Sequence, residues 1–221
     1  MHSFFIDIDF NEIITATTDT LIMIGISLLI STIIAIPISL VLYFTSKNKL
    51  YENRLINSTI SFIINTLRSL PFLVLLIVMI PITKFLVGTT IGLAGIIPPL
   101  IIGTFPMIVR LMENSLLEID DGIILMARSY GCNVLQIIRY VLFPEVLPNL
   151  ISNLTVTAIT LLSFTSVAGV VGGGGLGDIA IRYGYERFQT NVLILTVIIL
   201  IILVQLIQLI GNIFVTLIKK K

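Results

Sequence analysis

Long apolar stretches separated by short clusters of charge run through the chain, and these stretches, not single-residue alternation, set its predicted elements. A helix needs about 20 apolar residues to cross roughly 30 Å of hydrocarbon, so the gaps between charged side chains mark candidate spans. Five emerge. The first is the charge-free run 21–44 between Asp19 and Lys47, with Pro37 as a kink site. The second covers 58–83 and carries Arg68. The third lies between Lys84 and Arg110 and is interrupted by Gly88, Gly92, Gly95, Pro98, Pro99, Gly103 and Pro106. Neighbouring helices must satisfy the backbone groups such residues free, so this span is expected to pack internally. The fourth and fifth cover 150–171 and 190–218.

Composition agrees with this pattern. Of 221 residues, 57% are hydrophobic and 11% charged, whereas soluble domains carry about a quarter charged residues. The expected class is therefore an all-α membrane protein with about five transmembrane helices. Thirteen basic and twelve acidic residues leave a net charge of +1, too little for a nucleic-acid footprint. One cysteine, Cys132, and one histidine, His2, exclude a disulfide framework, a multi-Cys or multi-His metal site and His-dependent catalysis.

Charge also orients the spans. Asp7, Asp9, Glu12 and Asp19 precede the first span with no lysine or arginine among them, the wrong sign for a signal peptide, so the first span is kept. An external N-terminus places Lys47, Lys49, Arg54, Arg110, Arg128, Arg139 and the tail Lys219, Lys220 and Lys221 in the cytoplasm, leaving Lys84, Arg182 and Arg187 outside. The positive-inside rule prefers this arrangement. Residues 1–16 are then an external segment, 17–208 the membrane domain and 209–221 the end of the last helix with a basic cytoplasmic tail. Arg68 falls in the cytoplasmic half of its helix, where it either snorkels to the interface or meets a buried partner.

Between Arg110 and Pro148 lies the densest internal charge, with clear helix punctuation. Asp120 and Asp121 supply a start signal and Gly131 a stop; a second helix begins near Asn133 and ends before Pro144, its apolar stripe being Ile137, Ile138, Val141 and Leu142. A helix–turn–helix this apolar, yet too charged to insert, needs a protein surface to cover it: either the chain's own ends or another subunit.

This stretch resembles the cytoplasmic signature of ABC-importer permeases, written E-A-A, three residues, G, nine residues, I-x-L-P. The matching positions are Leu125, Met126, Ala127, Gly131, Val141, Leu142, Phe143 and Pro144, with leucine replacing the glutamate and methionine the first alanine. In that family the segment is a short coupling helix seated in a groove of a cytoplasmic ATPase. The resemblance therefore implies coupling roles for Gly122, Leu125, Met126, Ala127, Tyr130, Gly131 and Pro144. It spans roughly residues 17–208, and NTLRSLPFLVLLIVMIPIT (65–83), VGTTIGLAGIIPPLIIGTFPMIVRLMENSLLEI (87–119) and GGGGLGDIAIRYGYERF (172–188) are similar to methionine-importer permeases. Such a relationship implies a type I ABC-importer transmembrane domain in the bacterial inner membrane, with five helices per subunit, forming a homodimer. Its implied partners are two ATP-binding subunits and an external methionine-binding lipoprotein, and its implied substrates L- and D-methionine. The chain has no G-x-x-x-x-G-K-[ST] phosphate loop, so ATP would be hydrolysed by the partner and no cofactor or metal held here.

Remaining motifs each carry two readings. GGGGLG (172–177) formally fits a dinucleotide fingerprint but follows a membrane span instead of a strand. Gly172, Gly173, Gly174 and Gly175 are instead a hinge, a close helix approach or only a turn. Gly88 and Gly92 form G-x-x-x-G, read as a packing motif within the subunit or between subunits. Gln205 and Gln208 share a helix face and are either an interface pair or buried polar groups. Ser163, Thr165, Ser166 and Val167 are candidates for a narrow gate, or small residues that pack helices. Competing functions are a secondary transporter, which would need acidic groups that the predicted spans lack, and a membrane enzyme, which lacks a nucleophile–base pair. A permease for a different amino acid or other small substrate is the nearer alternative.

Overall fold

The computed structural model describes residues 10–219, and all regular structure in that range is helical. Helix α1 is Phe10–Thr45, α2 Arg54–Ser69, α3 Phe72–Val87, α4 Gly92–Leu117 and α5 Asp121–Ser129. Helix α6 runs unbroken over Val134–Gly169. Helix α7 joins Gly175–Ile179 to a π-helical stretch Ala180–Tyr185, and α8 is Thr190–Lys219. Four of these (α1, α4, α6 and α8) are long and apolar enough to cross a membrane, and the bent pair α2–α3 makes a fifth.

That bent pair corrects the second predicted span. In place of one helix over 58–83, α2 and α3 meet at an angle of 108°. Pro71 has no N–H and disfavours helical geometry in the residue before it, and Leu70 is extended at φ −79° and ψ 126°. The helix restarts when Leu75 N–H donates to the Pro71 carbonyl at 3.0 Å. Only Ile64 of α2 is buried, so this half is an amphipathic strut and not an apolar rod. Arg68 sits in its last turn, at the elbow.

Three other expectations change. The second loop helix does not stop before Pro144 but continues as α6, because residues 138–142 form a π turn in which Phe143 N–H reaches the Ile138 carbonyl. A widened turn accommodates a proline ring where an α turn would clash with the carbonyl four residues back. Gly88 and Gly92 do not pack within the subunit: both have positive φ (81° and 73°), and a Cβ at either would meet open space in this chain. Gly88 caps α3 in the left-handed region and Gly92 opens α4. Finally, the spanning helices do contain acids. Glu12 and Asp19 lie in α1, Glu113 in α4 and Glu145 in α6. Hydropathy windows trim helix ends, and Glu113 is buried with Arg110 Nη1 at 2.6 Å from its carboxylate.

Packing follows from small residues. Ser27, Ser31, Ala35 and Ser39 recur every four positions along α1, and all four are fully buried. Such a stripe lets helix backbones approach closely where hydrocarbon removes the usual hydrophobic drive. Helix α4 fills it: Ser31 and Thr104 hydroxyls pair at 2.8 Å, and Thr104 also donates to the Leu100 carbonyl. At one end, Tyr43, Phe44, Met112, Leu116, Ile137 and Leu142 form a cluster beneath α5. At the other, Met23, Ile96, Leu161, Ala168 and Leu176 bind α7 into the bundle. There α6 and α7 touch backbone to backbone, since a Cβ on Gly169 would lie 2.3 Å from Asp178 N and one on Gly177 2.5 Å from Ser166 Cα.

Substituting alanine at two glycines should separate close approach from helix propensity. Gly169→Ala forces α6 and α7 apart and is expected to cost about 1–3 kcal/mol. Gly25→Ala, with nothing within 4 Å of its Cβ, is expected to be neutral or stabilising by about 0.5–1 kcal/mol. Thermal unfolding of the detergent-solubilised protein reads both, and equal effects would refute the packing account.

Candidate functional site

The helical hairpin at the α5 end is fixed by backbone chemistry written in its own sequence. Asp120 caps α5, its carboxylate accepting from Gly122 N–H at 2.6 Å. The helix ends in a paired closure: Cys132 N–H donates to the Ala127 carbonyl at 3.1 Å and Gly131 N–H to the Arg128 carbonyl at 2.8 Å. This closure needs a left-handed residue, and Gly131 has φ +79°. Asn133 and Gln136 then form a reciprocal capping box that starts α6. Helix, turn and helix are therefore held at one angle.

One side of α5 is anchored and the rest is bare. Ile124 is 6% exposed in the cluster with Tyr43, Phe44 and Met112, and Ala127 and Cys132 pack against that cluster. Leu125, Met126 and Tyr130 are 64%, 56% and 83% exposed. Leu135 and Tyr140, at the start of α6, are bare as well. Gly122 and Gly131 are exposed beside them, and Pro144 is exposed on α6. Six of the seven predicted coupling residues thus lie on α5 and its turn, with Pro144 apart on the helix that follows. Sequence reasoning missed Ile124, whose place in the apolar periodicity marked it, and Lys49. The Lys49 ammonium ion-pairs with Asp121 and lies 5.0 Å from the centre of the Tyr43 ring. This ties the chain after α1 to the start of α5, and no local pattern signals so distant a pair.

The gate candidates at the far end of α6 do not share one face. Ser163 is exposed, Ser166 and Val167 are half-buried, and Thr165 is buried with its hydroxyl donating to the Leu162 carbonyl at 2.8 Å. The glycine run is a packed, hydrogen-bonded turn. Gly172 accepts from Gly92 N–H at 3.0 Å, Gly173 donates to the Ala168 carbonyl at 3.0 Å, and Leu176 N–H donates to the Thr20 hydroxyl at 2.9 Å. Gly174, at φ 79° and ψ −167°, occupies a region essentially restricted to glycine. A Cβ on Gly173 would meet the Ala168 carbonyl oxygen and Ile96 at 2.7 Å. Beyond it Arg182 donates to Glu12 at 3.1 Å and Asp178 at 2.8 Å, and the Tyr183 hydroxyl donates to Glu12. No group of three or more His, Cys, Asp or Glu side chains that could hold a metal ion occurs among the described residues.

A multi-pass helical bundle that presents a rigid, apolar hairpin at one end is a membrane permease domain. The chain belongs to the family of binding-protein-dependent transport system inner membrane components, whose model matches residues 35–221. It is 46% identical over 203 residues to the probable D-methionine transport system permease protein MetI of Vibrio cholerae serotype O1, covering 92% of this chain and 90% of that protein. It is 42% identical over 218 residues to the methionine import system permease protein MetP of Bacillus subtilis, covering 99% and 98%. Its structure is similar to a crystal form of the MetNI methionine ABC transporter in an inward-facing conformation, with TM-score 0.92, 40% identity and coverage of 94% of this chain and 96% of that one. The fold is that of a type I ABC-importer transmembrane domain, as the coupling motif implied.

The turn at Gly131 gives a discriminating series. Its Cβ position is sterically open, so the cost of replacement is conformational, about 1–2 kcal/mol for alanine and less for asparagine, which tolerates left-handed geometry. Thermal unfolding is expected to rank glycine above asparagine above alanine. Gly131→Arg should remain membrane-inserted yet lose transport, and normal transport by that variant would remove the hairpin from the mechanism.

Proposed function

We propose that the chain is the permease subunit of an ATP-driven importer that carries L- and D-methionine across the bacterial cytoplasmic membrane by alternating access. The exposed apolar hairpin, in a chain alike over nearly its whole length to methionine permeases, carries the reading. The subunit is no enzyme itself and holds no cofactor, metal or nucleic acid. Its partners are a second copy of itself, two ATP-binding subunits, an extracytoplasmic methionine-binding lipoprotein and membrane lipid. The N-terminus lies outside and the C-terminus in the cytoplasm, with residues 1–16 external, 17–208 the transporting domain and 209–221 the end of the last helix and the basic cytoplasmic tail.

In this mechanism Leu125, Met126 and Tyr130 enter the ATPase groove while Gly122 and Ala127 permit its close approach. Leucine at position 125 makes that contact apolar where the family motif has a carboxylate. Gly131 locks α5 to α6, so a displacement of α5 on nucleotide closure moves α6 as a lever, Pro144 lying on its first turns. Ser163, Thr165, Ser166 and Val167 line or brace the gate, and the turn at Gly172, Gly173, Gly174 and Gly175 is its pivot. Selection falls to the binding protein.

Uptake of labelled methionine by the complex reconstituted in liposomes tests the reading. Accumulation is expected with ATP and none without it; a competent complex that takes up no methionine would defeat it. Introducing Met126→Glu with Tyr130→Glu buries charge in the groove and is expected to reduce copurification of the ATPase about tenfold or more. Undiminished copurification would place docking elsewhere.

A further inference from the structure

A cavity of about 250 Å³ opens inside the α2–α3 elbow, closed by α4 and α6. Its lining divides into two kinds of surface. Phe72 and Phe164 stack with ring centres 4.3 Å apart and planes within 2°, and with Met107 they form an apolar wall. Arg68 and Asn114 supply the polar side, and neither side chain has a hydrogen-bond or ion-pair partner among the described residues. Arg110 also lines the cavity, but its charge is met by Glu113 at 2.6 Å and its Nη2 donates to the Ser61 carbonyl at 3.1 Å. One positive charge, that of Arg68, is left uncompensated. Its cavity partners Gly103, Met107 and Asn114 lie 11 to 22 residues into α4, or about 16–33 Å from its start, so the cavity runs from the middle of the membrane to the boundary where α4 leaves it. Arg68 and Asn114 are both exposed at this open cavity, so the free guanidinium is accessible to an incoming anion.

We propose that this cavity is a binding subsite for a zwitterionic amino acid with an unbranched apolar side chain, its carboxylate held by Arg68. The inference rests on the permease reading and gives that reading a place in the fold. Arginine matches a carboxylate with two parallel N–H donors. Asn114 offers both an acceptor to the ammonium group and a donor to the carboxylate. The stacked rings and Met107 receive the thioether chain, a favourable sulfur–aromatic contact.

Uptake kinetics of the whole reconstituted complex test the subsite. Arg68→Gln is expected to raise KM for methionine about tenfold, the loss of one charge-assisted hydrogen bond, with Arg68→Lys intermediate. Lys84→Gln, remote from the cavity, controls for a general loss of positive charge. An unchanged KM in Arg68→Gln would return Arg68 to a snorkelling role and overturn the proposal. If that variant fails to assemble, Leu67→Cys in a Cys132→Ser background places one thiol per permease chain at the cavity rim of the assembled complex, and labelling is read on that chain. Methionine is expected to slow its modification by a maleimide, and methioninamide, lacking the carboxylate, is not. Equal rates with and without methionine would overturn the subsite, as for a cavity that holds lipid. A wild-type complex that takes up no methionine counts against the permease reading instead, because the labelling rate needs no transport.

Discussion

The unbroken course of α6 from Val134 to Gly169 is the constraint on which the rest of the structure depends. At about 1.5 Å per residue its 36 residues reach about 54 Å, more than the roughly 30 Å hydrocarbon thickness. The extra length brings the hairpin outside the bilayer while leaving it on the same rigid body as Ser163, Thr165, Ser166 and Val167, the gate candidates. Two prolines, Pro144 and Pro148, threaten that continuity, and the π turn just before the first preserves it. Had the helix broken there, α5 would be a loosely tethered domain, and no displacement at Leu125 would reach Ser163. The capping box at Asn133 and the closure at Gly131 extend the same rigidity by one more element.

Around this rod the helices are held unequally. The stripe of small residues on α1 makes α1 and α4 a close pair, pinned by the Ser31–Thr104 contact. Helix α8 is different: Val192, Thr196 and Leu203 are buried, whereas most of its large apolar side chains face outward. It passes close to α6 at Gly211, where a Cβ would fall 2.1 Å from the Thr155 hydroxyl. A helix with so much bare apolar surface belongs against lipid or another subunit. The bundle thus combines a stiff unit of α1, α4 and α6 with a peripheral one, a division suited to a domain that must change shape without losing its fold.

Legibility from sequence followed the range of the forces involved. The hairpin was readable almost residue by residue, because Asp120, Gly131 and Asn133 act on backbone groups within three or four positions. The elbow was hidden by averaging: a hydropathy window over 58–83 sees apolar content and passes over one Leu–Pro step, although Pro71 was the signal for it. Gly88 and Gly92 show that one spacing serves two physical purposes, helix contact or paired caps, and only φ distinguishes them. Glu113 was lost for a related reason, since its partner Arg110, three residues earlier, was read as the end of a span. The Lys49–Asp121 pair and the small-residue seam between α1 and α4 depend on distant partners, which periodicity in one segment does not reveal. The gate residues were chosen for size and hydroxyl content, yet burial separates Thr165 from Ser163 two positions before it.

Scarcity of charge makes the pairs that do form legible. At the glycine end Arg182 is shared between Glu12 and Asp178, joining α7 to α1 and to its own preceding turn. At the hairpin end Lys49 and Asp121 join the chain after α1 to α5. Within the bundle Arg110 and Glu113 satisfy each other and the carbonyl of α2. These pairs all bridge elements or steady one helix against another, and each lowers the cost of holding a charge away from water. Arg68 stands outside this pattern, at an elbow where the backbone is bent and the neighbouring wall is aromatic. Arg68 is exposed at the rim of the elbow cavity with no counterion among the described residues, and a counterion arriving with a cargo completes the arrangement.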